Sequence, residues 1–414
     1  MVLTALFYVG AIYSAGFLEI PAQEHETPLT LLGSAILFLP VTFMIRAARK
    51  NRITWRGLAA GWLVTAPVFA WLAWDAPRML RPLTLEEISP AFEGAERSHT
   101  AILEYGAHQS TDEAQAFASV QWKVAQVRGS PREAEKWIEF ITSHREGLEA
   151  DWISAAPQRA WLDRLGAFNQ LGDLTPASVV PELPSYQIWR FLSQRICARA
   201  SLQALDGQGD AAVATLLPVL ETGRKLETSA RTVVRVMIAR AVQKMCYETA
   251  EFILDRSNPG ATARQRLLTI LKDGNAAAGA RRLILAEYAL FAAAIADAPP
   301  DQAASLLSAG RIGPLPKPLA WLALFFFNPH ATANLYGDYA YEVASLAERR
   351  DLGGFAACKN AFIKTRLQDG GMKNLGGRML VNMAIPGFDK ILKSYWEIED
   401  LRAALQARLQ APSS

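Results

Sequence analysis

At 414 residues, 51% of them apolar, and with a formal charge of only +3, the chain can bury a sizeable core without metal or disulfide staples. Lys and Arg are interleaved with Asp and Glu, not massed in the basic runs that track a phosphate backbone, so nucleic acid is excluded as a partner.

In chain order, the first 75 residues carry three stretches nearly free of charge: Leu3 to Leu18, Leu29 to Ile45 and Gly57 to Trp74. Each is roughly 16 to 18 residues, the short end of what a helix rising about 1.5 Å per residue needs to cross hydrocarbon. All three are predicted as transmembrane helices. The first could instead be a signal peptide, but it lacks a basic leading region and a clear cleavage site.

Arg46, Arg49, Lys50, Arg52 and Arg56 crowd the loop between the second and third stretches, which the positive-inside bias places in the cytoplasm. Residues 75–414 are then expected outside the cytoplasmic membrane of a bacterium, in the periplasm where there are two membranes. Gly57, Gly61 and Thr65 share one face of the third stretch, at the spacing that lets transmembrane helices approach closely. Trp71 and Trp74 suit an interfacial belt at its outer end.

Beyond residue 84 the text is helical. Thr84-x-x-Glu87, Ser110-x-x-Glu113 and Ser130-x-x-Glu133 fit the reciprocal capping box, the last with Pro131 at a first helical position. Pro176, Pro181 and Pro184 then break the chain. Two helices follow around "DGQGD", the second with Pro218 inside it. This pair resembles a single tetratricopeptide-type hairpin over about 193–227: Gly209 and Asp210 occupy the turn, and Ala214 falls at the motif's small position.

The stretch 229–256 predicts the longest helix, with Val234, Met237, Ile238, Ala241, Met245 and Phe252 as its apolar face. No alternating run is long enough for a sheet, so the fold class is all-α, an irregular array of helical hairpins beyond the anchor. Breaks divide it into 1–75, 76–175, 176–310 and 311–414. The Gly pairs of "LQDGGMKNLGGRM" read as loop and cap glycines, and Cys197, Cys246 and Cys358 as small buried residues, with a Cys197–Cys246 bridge as the alternative. The layout is similar to that of uncharacterised membrane-anchored all-helical bacterial proteins. The resemblance implies this architecture and carries no activity.

Chemistry-bearing patterns are thin. Glu96-x-x-His99 has the spacing of a di-iron ligand pair, but no second such pair accompanies it. Glu397, Glu399 and Asp400 read as the exposed face of the last helix, with Arg402 positioned for an intrahelical pair. No hydrolase motif is present, and no catalytic, cofactor or metal role is assigned. Trp122, Trp137, Trp152, Trp161 and Trp189 read as core residues with interface anchors as the alternative.

"PLAWLALFFFNPH", Pro318 to His330, is too short to span a bilayer and predicts a short apolar helix ahead of one capped by Asn328 and started by Pro329. Burial in the core is the leading reading. Contact with the membrane interface or with a partner, through Trp321, Phe325, Phe326 and Phe327, is the functional one. The whole sequence therefore predicts a non-catalytic membrane-anchored scaffold, adaptor or accessory subunit, with the lipid bilayer and other envelope proteins as partners. The alternatives are an envelope enzyme acting on cell-wall or lipid material and a protein binding an apolar ligand.

Overall fold

The computed structural model of the chain describes residues 78–103, 122–124, 126–177, 186–272, 274–296, 327–368, 374–385 and 388–411. Their regular elements are all helices, with no strand among the described residues, so the fold is all-α. Among the described residues no helix is long and apolar enough to cross a membrane. The stretches 3–18, 29–45 and 57–74, with Gly57, Gly61 and Thr65, lie outside them, as does the Ser110 capping motif.

The order is α1 (Leu85–Ile88), α2 (Ala95–Leu103), α3 (Ala134–Ser143), α4 (Arg145–Ser154), α5 (Ala156–Ala167), α6 (Gln187–Leu205) and α7 (Gly209–Thr228). Then come α8 (Val233–Arg256), α9 (Ala261–Lys272), α10 (Ala276–Ala296), α11 (Pro329–Glu348) and α12 (Gly354–Phe362), which ends in a π-helical turn, Ile363–Gln368. The last two are α13 (Leu375–Ala384) and α14 (Phe388–Gln410).

Apolar side chains collect into two cores. One joins α2 to α9 with the C-terminal half of α14, from Ile398 onward. The other joins α1, the start of α8, α10 to α13, and the N-terminal half of α14 up to Trp396. Helices α8 and α14 run through both and pack on each other, so the two cores share walls.

Local chemistry explains most starts. At α1 both halves of the capping box form: the Glu87 N–H donates to Thr84 Oγ1 at 3.2 Å, and the Thr84 N–H to Glu87 Oε2 at 2.8 Å. The box expected at Ser130 does not form. Its hydroxyl donates to Glu248 at 2.8 Å, Glu133 pairs with Lys136, and α3 begins only at Ala134. The Ser130 oxygen accepts instead from the Arg132 N–H at 3.2 Å, two residues on and not three, while its proton goes to the distant Glu248.

The α6–α7 hairpin is present, and α7 continues through Pro218. Its turn is held by Gly207 at φ 74°, not by Gly209, which is already helical and abuts the Pro259 backbone. Asp210 accepts from the Gly260 N–H at 2.6 Å and so fixes the next turn. Ala214 is exposed, while Ala212, Val213 and Leu216 pack inward, so the tetratricopeptide register is not kept.

Helix α8, with 24 residues, is the longest described, yet its face differs from the expected one. Val234 and Ala241 are exposed, and the buried set includes Arg235, Arg240, Gln243, Cys246 and Tyr247. Buried between two cores, α8 has little solvent face to impose a clean period. Gly376 and Gly377 likewise sit inside α13, not in a loop, where Gly377 lies against Thr332 and Asn374. Cys197, Cys246 and Cys358 are buried free thiols, the first two in hydrogen-bond contact.

Candidate functional site

The sequence points to the start of α11, and there the structure places Phe327, half-buried, followed by Asn328 and Pro329. Pro329 opens the helix as expected. Asn328 occupies the N-cap, but its side chain makes no capping bond. Instead its N–H donates to Asn374 Oδ1 at 2.9 Å, and the Thr332 hydroxyl donates to the Asn328 carbonyl at 2.8 Å. Asn374 itself adopts the left-handed conformation (φ 49°) that asparagine tolerates, which ties the start of α13 to the start of α11. Trp321, Phe325 and Phe326 lie outside the described residues.

The same end of α11 receives the neck, the chain that follows the first 77 residues. The Leu80 N–H donates to Asn334 Oδ1 at 2.5 Å, and the Asn334 amide donates to the Arg78 carbonyl at 3.1 Å. The Tyr288 hydroxyl donates to the Arg81 carbonyl at 2.7 Å, and the Arg81 guanidinium lies 4.9 Å from the Tyr341 ring. Further on, Arg282 donates to the Ile88 carbonyl at 3.2 Å, and the Ser89 hydroxyl to the Ser229 carbonyl at 2.9 Å.

These contacts fix a direction. From Leu80 to Ile88 the neck passes from Asn334 to Tyr288 and then to Arg282, antiparallel to α10 and away from the start of α11. Its first described residues, Arg78 to Leu80, therefore lie toward the end where α10 stops at Ala296 and α11 starts at Pro329. Asn334 is five residues into α11 from Pro329, about 7.5 Å along the axis. The neck, the end of α10 and the start of α11 share one end of the molecule.

A second feature lies where the two cores meet. A partly open cavity of about 260 Å³ is lined by α7, α8, the turn at Gly274 and Asn275, the start of α10, and α14. Arg240 and Glu399, both buried, meet on its wall in an ion pair. Arg240 also holds Glu227 at 2.6 Å and stacks 3.9 Å from the Tyr395 ring. Arg402 returns to Glu399 at 2.9 Å, the intrahelical pair the spacing predicts. Glu399 is thus not on an exposed face: Arg240 and Arg402 overcome the cost of burial and hold its pKa below the usual carboxylate range. Burial raises the Tyr247 and Tyr395 phenols, so both stay neutral at physiological pH.

Arg282 also lines this cavity. It donates to two backbone carbonyls, of Ile88 and Ala230, each at 3.2 Å. Desolvation lowers its pKa.

Elsewhere the charged interior is structural. Asp151 accepts from the backbone N–H groups of Lys123 and Val124 and pairs with Arg195 at 3.3 Å, and Arg195 stacks on Trp122 at 3.8 Å. Trp137, Trp161 and Trp189 are core residues, while Trp122 and Trp152 are half-buried beneath arginines. Glu96 is exposed and His99 accepts from the Leu174 N–H at 3.3 Å, so the two are not a ligand pair. Among the described residues no three His, Cys, Asp or Glu side chains are grouped to hold a metal ion.

Sequence reasoning missed the cavity. A signal for it exists: Leu392, Tyr395, Glu399, Arg402 and Leu405 follow i, i+3, i+7, i+10 and i+13, so Glu399 and Arg402 share the face of the core leucines. No family model, no curated protein and no solved structure matches this chain.

Proposed function

We propose that the chain is a membrane-anchored helical scaffold or accessory subunit of a bacterial envelope complex, its helical part held outside the cytoplasmic membrane in a fixed pose. The observation that carries this reading is the neck. Only residues 75–77 separate the third apolar stretch from Arg78, and from there the chain is tied at Asn334, Tyr288, Arg282 and Ser229. Four residues from Trp74 to Arg78 reach at most about 14 Å. A catalytic domain on a tether needs no such fixation, whereas a subunit that presents one surface at one height above the bilayer does.

The apolar stretch at Pro318 to Phe327 supports the same reading through its flanks. In the chain, Ala296 and Phe327 flank the intervening residues, and the end of α10 and the start of α11 lie on the side where Arg78 and Leu80 are bonded to Asn334. Membrane-interface or partner contact by this stretch then takes precedence over core burial.

Extraction in gentle detergent followed by mass spectrometry and sizing tests the reading. Partners are expected in fixed stoichiometry, and Phe325→Ser with Phe326→Ser is expected to weaken their retention several-fold without altering the thermal midpoint. A chain that is monomeric and solitary in every detergent contradicts it.

A further inference from the structure

The chain has three cysteines, and the fold sorts them. Cys197 on α6 and Cys246 on α8 belong to one core, whereas Cys358 on α12 belongs to the other, beside Glu342. One pairing is therefore open to them. Helices α6 and α8 pack on each other, and there the Cys197 and Cys246 thiols meet in hydrogen-bond contact. A small cavity of about 60 Å³ marks the same junction. Cys197 lines it from α6, and Met245 and Thr249, which flank Cys246 in the helix, line it from α8.

The backbones suit a bond as well as a contact. Small buried residues recur on the face of each cysteine, Ser193, Ala200 and Ala204 on α6 and Ala239 and Ala250 on α8. Residues of this size let two helices approach to the span a disulfide requires, about 4.4 to 6.8 Å between Cα atoms. In the folded chain the pair is closed to reagents. Cys197 is 2% exposed and Cys246 fully buried, and burial pushes the Cys246 thiol well above its usual range, so the thiolate that exchange requires does not form. Bond formation belongs to folding, before the helices close over the sulfurs.

We propose that Cys197 and Cys246 are joined in the native protein by a disulfide, closed during folding, that ties α6 to α8 around α7 and leaves Cys358 as a free thiol. The bond rests on the extracytoplasmic placement of the helical body, because thiols persist in a reducing cytoplasm and are oxidised outside it. The step is an exchange with a disulfide carrier. Its S–S bond breaks as the Cys197–Cys246 bond forms, and it leaves as two thiols that hold the two protons and two electrons. Joining these positions closes a loop of 246 − 197 = 49 residues, a restraint on the unfolded chain that raises thermal stability.

The full chain, made in a bacterial host, extracted in detergent without reductant, quenched with acid and then alkylated in denaturant, tests the bond by mass spectrometry. One alkylated cysteine, Cys358, is expected, with a linked Cys197–Cys246 peptide that reduction separates. Reduction should also lower the Tm of the native chain and of Cys358→Ala by several degrees, and leave that of Cys197→Ala unchanged. Three alkylated cysteines, or a bridge that includes Cys358, would overturn the bond. In that event, treating the reduced chain with oxidised glutathione in urea separates the causes. Closure of the pair there puts the fault in the compartment, and so in the extracytoplasmic reading, whereas three free thiols there put it in the pairing and leave that reading standing.

Discussion

His99 illustrates how one half-buried side chain writes a pH dependence into this fold. Its ring accepts from the Leu174 N–H, and burial, only partly offset by the Asp173 carboxylate, holds its pKa below the usual 6.5. The folded state therefore takes up a proton later than the unfolded chain does, and stability is lost as pH falls from about 6.5 through the depressed value. Asp173 acts lower on the scale. Although burial opposes it, Arg235 and the bonds from Arg231 and Thr175 depress its pKa, so its contribution is lost only below the ordinary carboxylate range. Thermal midpoints measured between pH 7.5 and 5 should fall for the native chain and fall markedly less for His99→Gln. Parallel curves would remove His99 from this role. Neither group could be assigned from sequence, because the Asp173 segment reaches His99 and Arg235 from the non-helical chain around Leu171 to Ala177, where no period exists to read.

Among the elements, the α10–α11 pair carries the geometry on which the proposed function depends. A Cβ at Gly337 would meet Tyr288 Oη at 2.9 Å and Cζ at 3.0 Å, so the glycine lets the two helices close around the hydroxyl that holds Arg81. Gly337→Ala is expected to destabilise by about 1 to 2 kcal/mol, the crowding outweighing alanine's better helix propensity. Gly166→Ala, in α5 with nothing within 4 Å of its new Cβ, is the counterpart and should raise the thermal midpoint. Equal effects of the two would show that crowding at Tyr288 carries no cost. Helix existence was legible wherever caps or long apolar patterns marked it, as at Thr84, Pro329 and the stretch of α8. Helix orientation was not, where an element is buried on several sides. Arg235, Arg240 and Glu399 look solvent-facing by residue type, but each is buried because a partner distant in sequence neutralises it. The Arg240–Glu399 pair spans 159 residues, which no local spacing encodes.

At the scale of the whole molecule, the all-α class and the bracketing of the apolar 318–327 stretch beside a helix start followed from pattern alone, while the return of the neck across α10 and α11 did not. That return depends on single polar groups, Asn334 and Tyr288, in an otherwise apolar wall. It fixes which end of α11 the neck lies beside. Leu80 and Leu352 are both exposed, at 69% and 37%, and they mark opposite ends of α11. Along the helix axis they are separated by roughly 25 Å. The native thiols are buried, so cysteines introduced at these two positions can be labelled selectively. In nanodiscs, a lipid-borne quencher is predicted to reduce the fluorescence of a probe at Leu80→Cys strongly and that at Leu352→Cys little. Quenching that is equal at the two positions, absent from both, or stronger at Leu352 would contradict a helical body held in a fixed pose above the membrane.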